Sequence, residues 1–168
     1  MPSERQTGFT LVELMTAVAV VAILLALALP SFQATMRSNR VTTSSNELLA
    51  SLSLARTEAI RGLGPAGVCA STDGATCAAS TDWAAGWVVW REEPAAGGVV
   101  ARTVVRYIQP KQRTTITGPN TGVQFTTQGR SQAGAQQVGV TATDASSVAR
   151  CVRVNTTGQT RVTRGACA

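Results

Sequence analysis

GFTLVELMTAVAVVAILLALALP, residues 8–30, decides the architecture of this 168-residue chain. From Phe9 to Leu29 there are 21 residues and a single charge, Glu13. As an α-helix they reach about 32 Å at ~1.5 Å per residue, enough to cross the hydrocarbon core of a bilayer. A carboxylate in that setting costs about 3 kcal/mol or more, so Glu13 reads as a functional residue. The order of parts reverses that of a secretory signal peptide. The small-residue cleavage point, Gly8–Phe9, precedes the apolar run, so a cut there leaves the helix on the mature chain. Arg5, on the leader side, favours an N-in orientation that puts the remainder outside the cytoplasm.

After Pro30 no glycine or proline occurs until Gly62. Leu48, Leu52, Ala55 and Ala59 recur at helical spacing, Leu49 and Ile60 widen the stripe, and Arg56 and Glu58 lie off it. The pattern predicts a helix from about 9 to 61, kinked near Pro30, with TTSSN (42–46) as a soft spot of weak helix formers. From GLGPAG (62–67) onward, short β-rich runs alternate with turn residues. The candidate strands are GWVVW (86–90), VVARTVVRYI (99–108), TTIT (114–117), VQFTT (123–127), VGVTAT (138–143), RCVRVN (150–155) and TRVTR (160–164). EEPAAGG (92–98) and QGRSQAGAQQ (128–137) read as exposed loops. The expected class is α+β: a long N-terminal helix, membrane-spanning in its first half, packed on a mainly antiparallel β head. Four parts are expected: a leader over 1–8, a transmembrane helix over 9–29, its amphipathic continuation over 30–61, and the head over 62–168.

Composition narrows the chemistry. The chain has no histidine, which removes the commonest general base and metal ligand and makes Ser–His and Cys–His pairs impossible. Asp73, Asp82, Glu92, Glu93 and Asp144 lie in apparent loops without pairing. TDGAT (72–76) lacks the alternating acids of a calcium loop, and no phosphate-binding glycine loop is present. No catalytic role, cofactor or metal is expected. The cysteines do not form CxxC pairs. Cys69 and Cys77 bracket one short loop and Cys151 and Cys167 a longer one, a spacing poor for zinc and suited to two local disulfides in an oxidising compartment.

The net charge of +6 is uneven. Residues 1–98 carry six basic and eight acidic side chains, whereas residues 99–168 carry nine basic and one acidic, Asp144. That asymmetry points to an anionic partner for the C-terminal half. The last strands read as a hairpin turning at Thr157–Gly158, with the Cys151–Cys167 pair placed to staple its open end. Arg150, Arg153, Arg161 and Arg164 fall within a few strand positions of one another, with Arg130 available from the preceding loop. Guanidinium forks suit phosphate oxygens, and such contacts read charge rather than sequence. No aromatic residue follows Phe125, so base stacking is not expected and double-stranded DNA is the better candidate. The same arginines also suit a charged edge that blocks strand-to-strand association, or a protein partner.

GFTLVELM (8–15) resembles the processing motif of type IV prepilins and type II secretion pseudopilins. LARTEAIR (54–61), VCASTDGATC (68–77), WAAGWVVW (83–90) and VQFTTQGR (123–130) resemble, more narrowly, the H-type pseudopilins and FimT/FimU-type minor pilins. The resemblance implies a type IV pilin-like fold. It implies that a prepilin peptidase cuts after Gly8 and methylates the new amine of Phe9. Glu13 would then meet the N-terminal amine of a neighbouring subunit during filament assembly. The expected partners are that peptidase, the inner membrane and other minor pilins or pseudopilins. The expected location is the inner membrane with a periplasmic head, followed by incorporation into a pilus or pseudopilus. FimT-type pilins are associated with DNA capture in natural transformation through a C-terminal GRxR preceded by a further arginine. Here Gly158 and Arg161 match, Arg153 stands for the upstream arginine, and Gln159 occupies the place of the motif's first arginine. The alternative implied by the same resemblance is an H-type pseudopilin of type II protein secretion, its basic face contacting other subunits or the exoprotein.

Overall fold

The computed structural model describes residues 8–62, 64–94 and 100–168. The expected leader lies outside them except for Gly8, as do positions 95–98 of the EEPAAGG loop. One helix, α1 (Leu11–Arg61), runs for 51 residues. It starts two residues later than periodicity suggests because Thr10 is its N-cap: the Thr10 hydroxyl accepts the Glu13 N–H at 3.2 Å. Thr10 and Glu13 have the T-x-x-E spacing of a capping box, of which only the Thr10 half, its hydroxyl on the Glu13 N–H, is formed. Pro30 lies inside α1, which continues past it without that residue's N–H. The helix through Met36 forms one compact unit, and Arg37–Ala168 form the other, the head.

The head contains β1 (Ala66–Ala70), β2 (Trp87–Pro94), β3 (Val100–Ile108), β4 (Thr114–Thr117), β5 (Val123–Phe125), β6 (Gln136–Ala142), β7 (Ala145–Val154) and β8 (Thr160–Arg164). They make two four-stranded antiparallel sheets, ordered β3-β2-β1-β5 and β4-β6-β7-β8. The seven expected strands are present, β4 and β8 with the expected bounds and the other five with shifted ends, and β1 is an eighth. Its AGVCA sequence reads as helix breaker and loop, yet every residue in it is buried. Gly67 has no side chain because the Trp90 ring of β2 lies across it, and a Cβ there would also meet the Val123 carbonyl. Glu92–Pro94 extend β2 and Gln136–Gln137 begin β6, so the two expected loops are shorter than their polarity suggests. Polar residues occupy these strand ends because only the ladder, and not a side-chain core, is needed there.

Both sheets share one core with α1. Leu48, Leu52, Ala55 and Ala59 are fully buried with Trp87, Val89 and Phe125 from one sheet and Val138, Val140 and Val152 from the other. Ile60, in contrast, is 54% exposed. It lies over the backbone of Gly129 instead of entering the core. TTSSN is no soft spot. Ser44 and Ser45 are buried, and the Ser45 hydroxyl donates to the Val41 carbonyl at 2.6 Å. Small side chains let the helix approach the sheets closely, and bonding back one turn satisfies the buried hydroxyl. Ser51 makes a further tie: buried Trp87 donates its indole N–H to the Ser51 hydroxyl at 3.0 Å.

Arg56 links α1 to two turns. Its Nε donates to the Gly129 carbonyl at 2.9 Å and its Nη2 to the Thr157 carbonyl at 3.3 Å. Gly158 sits against Gly129 with φ +77°, so closely that a side chain there would overlap the Gly129 carbonyl. The β5–β6 and β7–β8 turns are thus fastened to each other and to the helix.

The outer face of the first sheet is covered by a smaller cluster, Cys69, Val88 and Trp90, with the Arg102 guanidinium stacked 4.1 Å from the Trp90 ring centre. The cysteines form two disulfides, Cys69–Cys77 and Cys151–Cys167. Inside the first, Asp73 accepts hydrogen bonds from the Thr76 hydroxyl at 2.6 Å, the Thr76 and Ala75 amides at 2.8 and 2.9 Å, and the Ser71 hydroxyl at 3.0 Å. These bonds, the Thr76 hydroxyl first, hold its carboxyl well below the usual carboxylate range.

Two outcomes follow for the full-length chain in detergent. Ser51→Ala should lower unfolding stability by about 1–3 kcal/mol, because it strands the indole N–H in the core. Adding Trp87→Phe should cost less than the sum of the single changes, and simple additivity in denaturant melts would show that the bond carries no coupling. Because the folded-state pKa of Asp73 is depressed, its contribution is present above the unfolded value near 4 and is lost as pH falls through the folded value. The stability gap between wild type and Asp73→Asn should accordingly narrow as pH drops from 6 to about 2, and an unchanged gap would show that the loop bonds are not coupled to folding.

Candidate functional site

Gly8, Phe9 and Thr10 precede α1 without regular structure. Nothing lies within 4 Å of where a Gly8 side chain would be, and Phe9 is 83% exposed. The Gly8–Phe9 bond is therefore open and outside regular structure among the described residues. Beyond it, α1 is long and apolar enough to cross a membrane, and none of its apolar window is buried by the protein. The backbone N–H of Glu13 is spent on the cap, whereas its carboxylate has no hydrogen bond or ion pair among the described residues.

At the other end of the chain, strand pairing sorts the arginines. In the β7–β8 ladder Arg153 is directly opposite Arg161, and Arg150 directly opposite Arg164. Val152 and Val154 face the core, so alternation puts Arg150 on their face and Arg153 on the other. Each cross-strand pair shares a face, but the two pairs lie on opposite faces of the ribbon. Arg153 and Arg161 line an open cleft of about 590 Å³ with Gln137, Asn155 and Gln159. Arg150 and Arg164 line a separate one of about 410 Å³, bordered by Ser38 and Val41 of α1 and by Val148. Arg130 belongs to neither pair. It is exposed in the β5–β6 turn, which is joined to the hairpin turn by the Ser131 N–H on the Thr156 carbonyl at 3.3 Å.

Gln159 has work of its own. Its amide N–H donates to Asn155 Oδ1 at 2.8 Å and its side-chain carbonyl accepts from Asn155 Nδ2 at 3.3 Å. Thr157 also donates to Asn155 Oδ1, at 2.8 Å. The residue at the place of the missing motif arginine therefore closes the turn. Asn155, Arg56 and Gln137 all shape the region, and none was legible as a site residue. The N-T-T-G-Q pattern could have signalled the Asn-centred turn, but the other two depend on long-range register.

The head's acids are committed elsewhere. Asp144 takes Arg37 at 2.8 Å, which holds its carboxyl below the ordinary range. Glu58 and Glu93 share Arg91 at 3.0 and 2.6 Å, Glu92 takes Arg102 at 3.1 Å, and Glu47 takes Lys111 at 2.6 Å. Asp82 accepts the Ala84 N–H at 2.9 Å, and Asp73 is held by its own loop. Among the described residues no carboxylate pairs with Arg130, Arg150, Arg153, Arg161 or Arg164, a state shared by Arg40, Arg56, Arg61, Arg106 and Arg113 elsewhere on the head.

Two protein families match the sequence: the prokaryotic N-terminal methylation motif over residues 4–29, and the type II transport protein GspH over residues 44–158. No curated protein matches. Among solved structures the chain is similar to the type IV minor pilin FimU of Pseudomonas aeruginosa PAO1 in two crystal forms. One is 18% identical with a TM-score of 0.57, covering 74% of this chain and 89% of that one. The second is also 18% identical, with a TM-score of 0.54 and coverage of 73% and 91%. That likeness shows the type IV pilin fold, a long helix on antiparallel sheets, and the GspH match spans well over half of the residues. The chain belongs to the GspH family, and is a structural subunit of the minor pilin and pseudopilin type.

Proposed function

We propose that this subunit is made as a prepilin, cut between Gly8 and Phe9 by the prepilin peptidase and methylated on the Phe9 amine. Residues 1–8 act as leader, 9–29 as membrane and assembly helix, 30–61 as its continuation and 62–168 as a periplasmic head. Glu13 pairs with the N-terminal amine of the next subunit. A lone carboxylate in hydrocarbon is penalised and one matched to an ammonium is compensated, which makes entry register-specific. In the assembled filament the subunit sits at or near the tip of a type IV pilus. There Arg150, Arg153, Arg161 and Arg164, with Arg130 beside them, contact the phosphates of duplex DNA without reading sequence, as DNA uptake requires. The observation that carries the DNA reading is the doubled cross-strand arginine pairing at a sheet edge, with no acid assigned to it. Like charges directly opposite are unfavourable, and a polyanion relieves them.

The second reading is an H-type pseudopilin of type II secretion, favoured by the GspH match over residues 44–158. In it the basic ribbon contacts another subunit or the secreted protein.

Duplex binding by the full-length chain in non-ionic detergent separates these. DNA capture predicts a log–log salt slope of about −3 to −4, for roughly four phosphates, and loss of binding in Arg161→Ala/Arg164→Ala. No binding at low salt would overturn it in favour of the secretion reading. For assembly, Glu13→Ala should insert and be processed normally yet be absent from sheared filaments. Incorporation at the wild-type level would exclude the carboxylate–amine pairing.

A further inference from the structure

The outer face of the β4-β6-β7-β8 sheet carries a row that crosses three strands. Gln137 of β6 is in register with Arg153 of β7, and Arg153 with Arg161 of β8. Two residues along, the row Gly139–Cys151–Thr163 is covered by the Cys151–Cys167 disulfide, with the Cys167 sulfur 3.9 Å from where a Gly139 side chain would start. On the other side stands the Asn155–Gln159 turn, itself locked by hydrogen bonds. The Gln137 amide donates to a main-chain oxygen of Ala168 at 3.2 Å, which holds the tail over the same face. The cleft itself is lined by Gln137, Arg153 and Arg161 together with Asn155 and Gln159 of the hydrogen-bonded turn, and is a concavity and not a flat charged edge.

Its charge is uncompensated. Arg153 is half-buried, and its Nε is shielded from solvent without any acceptor. Arg161 stands directly across from it and is exposed. An aliphatic or hydroxyl pair would stabilise this ladder position better than two like charges. The other side chains lining the cleft are neutral, and the amides among them are able to donate to an anion and unable to neutralise an arginine.

We propose that the Gln137–Arg153–Arg161 row is a binding site for one phosphate group, taken as a protruding phosphate into the cleft. The two guanidinium groups supply charge and directional N–H donors, and the second N–H of the Gln137 and Asn155 amides, whose first is given to Ala168 and Gln159, completes the shell. The site uses two of the arginines assigned above to DNA contact but does not rest on DNA being the ligand. A free or terminal phosphomonoester and an internal phosphodiester present the same oxygens. The Arg150–Arg164 pair, on the opposite face, is no part of it.

The test is calorimetric titration of inorganic phosphate into the full-length chain in non-ionic detergent, with chloride at matched ionic strength as the blank. Parallel arms use duplex DNA with and without 5′-phosphates. Saturable phosphate binding is expected, weakened about tenfold or more in Arg161→Gln, whose exposed position spares the fold, and in Arg153→Gln/Arg161→Gln. Arg106→Gln/Arg113→Gln, which removes arginines without a carboxylate partner elsewhere on the head, should leave it unchanged. Phosphate binding without any DNA binding would support the site and overturn the DNA reading. Preference for 5′-phosphorylated duplex would identify the terminal monoester as the source, whereas equal binding of both duplexes with phosphate competition would identify the internal diester. DNA binding that phosphate does not compete, or that survives loss of Arg153 and Arg161, would overturn the site and leave the ribbon. Heat no different from chloride would also overturn it.

Discussion

One helix face holds the head together. Leu48, Leu52, Ala55 and Ala59 supply the surface on which two separate sheets meet, and no β-strand pairing joins those sheets along their named strands. The Ser51–Trp87 hydrogen bond fixes where the helix sits on the first sheet, and Arg56 fixes where the turns of both sheets end. A helix this rich in serine and alanine has little intrinsic advantage over leucine-rich alternatives. Its value is closeness: short side chains bring backbone near backbone, and their hydroxyls find partners one turn back.

The basic ribbon inherits its shape from that arrangement. Gly158 lies against Gly129 and Arg56 bridges both turns at the closed end of the hairpin in which β7 and β8 set Arg153 against Arg161 and Arg150 against Arg164. The acids close the argument from the other side. Each carboxylate described in the head is already held by a cation or by its own loop, so none is available to quench the hairpin. The +8 excess of residues 99–168, visible as arithmetic in the sequence, becomes a spatial fact only through this pairing.

Much of this was readable in one dimension. The apolar run from Phe9, the stripe from Leu48 to Ala59 and the alternation in TRVTR each follow a single period, and each formed the element that period predicts. What stayed hidden depends on residues far apart in the chain. AGVCA becomes β1 because Trp90 lies over Gly67 and the Val123 backbone pairs beside it, contacts that no local pattern contains. Ile60 has the right spacing for the core, but the β5–β6 turn occupies its side of the helix. The opposite faces of the two arginine pairs could be anticipated from their three-residue separation. Which arginine meets which could not, because register is set by the turn at Asn155–Gln159.

Gln159 shows how a motif position can change its role without changing the surface it borders. An arginine there would add a charge but lose the side-chain carbonyl that accepts from Asn155. The glutamine keeps the turn closed, and the turn is the wall of the cleft in which Arg153 and Arg161 stand. A flexible turn would let the two guanidinium groups splay apart and relieve their repulsion without any ligand. A locked one keeps them opposed, so the repulsion can be relieved only by an anion that enters between them. Rigidity at Asn155–Gln159 and unpaired charge at Arg153–Arg161 are therefore two halves of one device, in which the hydrogen bonds of a turn hold two like charges in place for a third party.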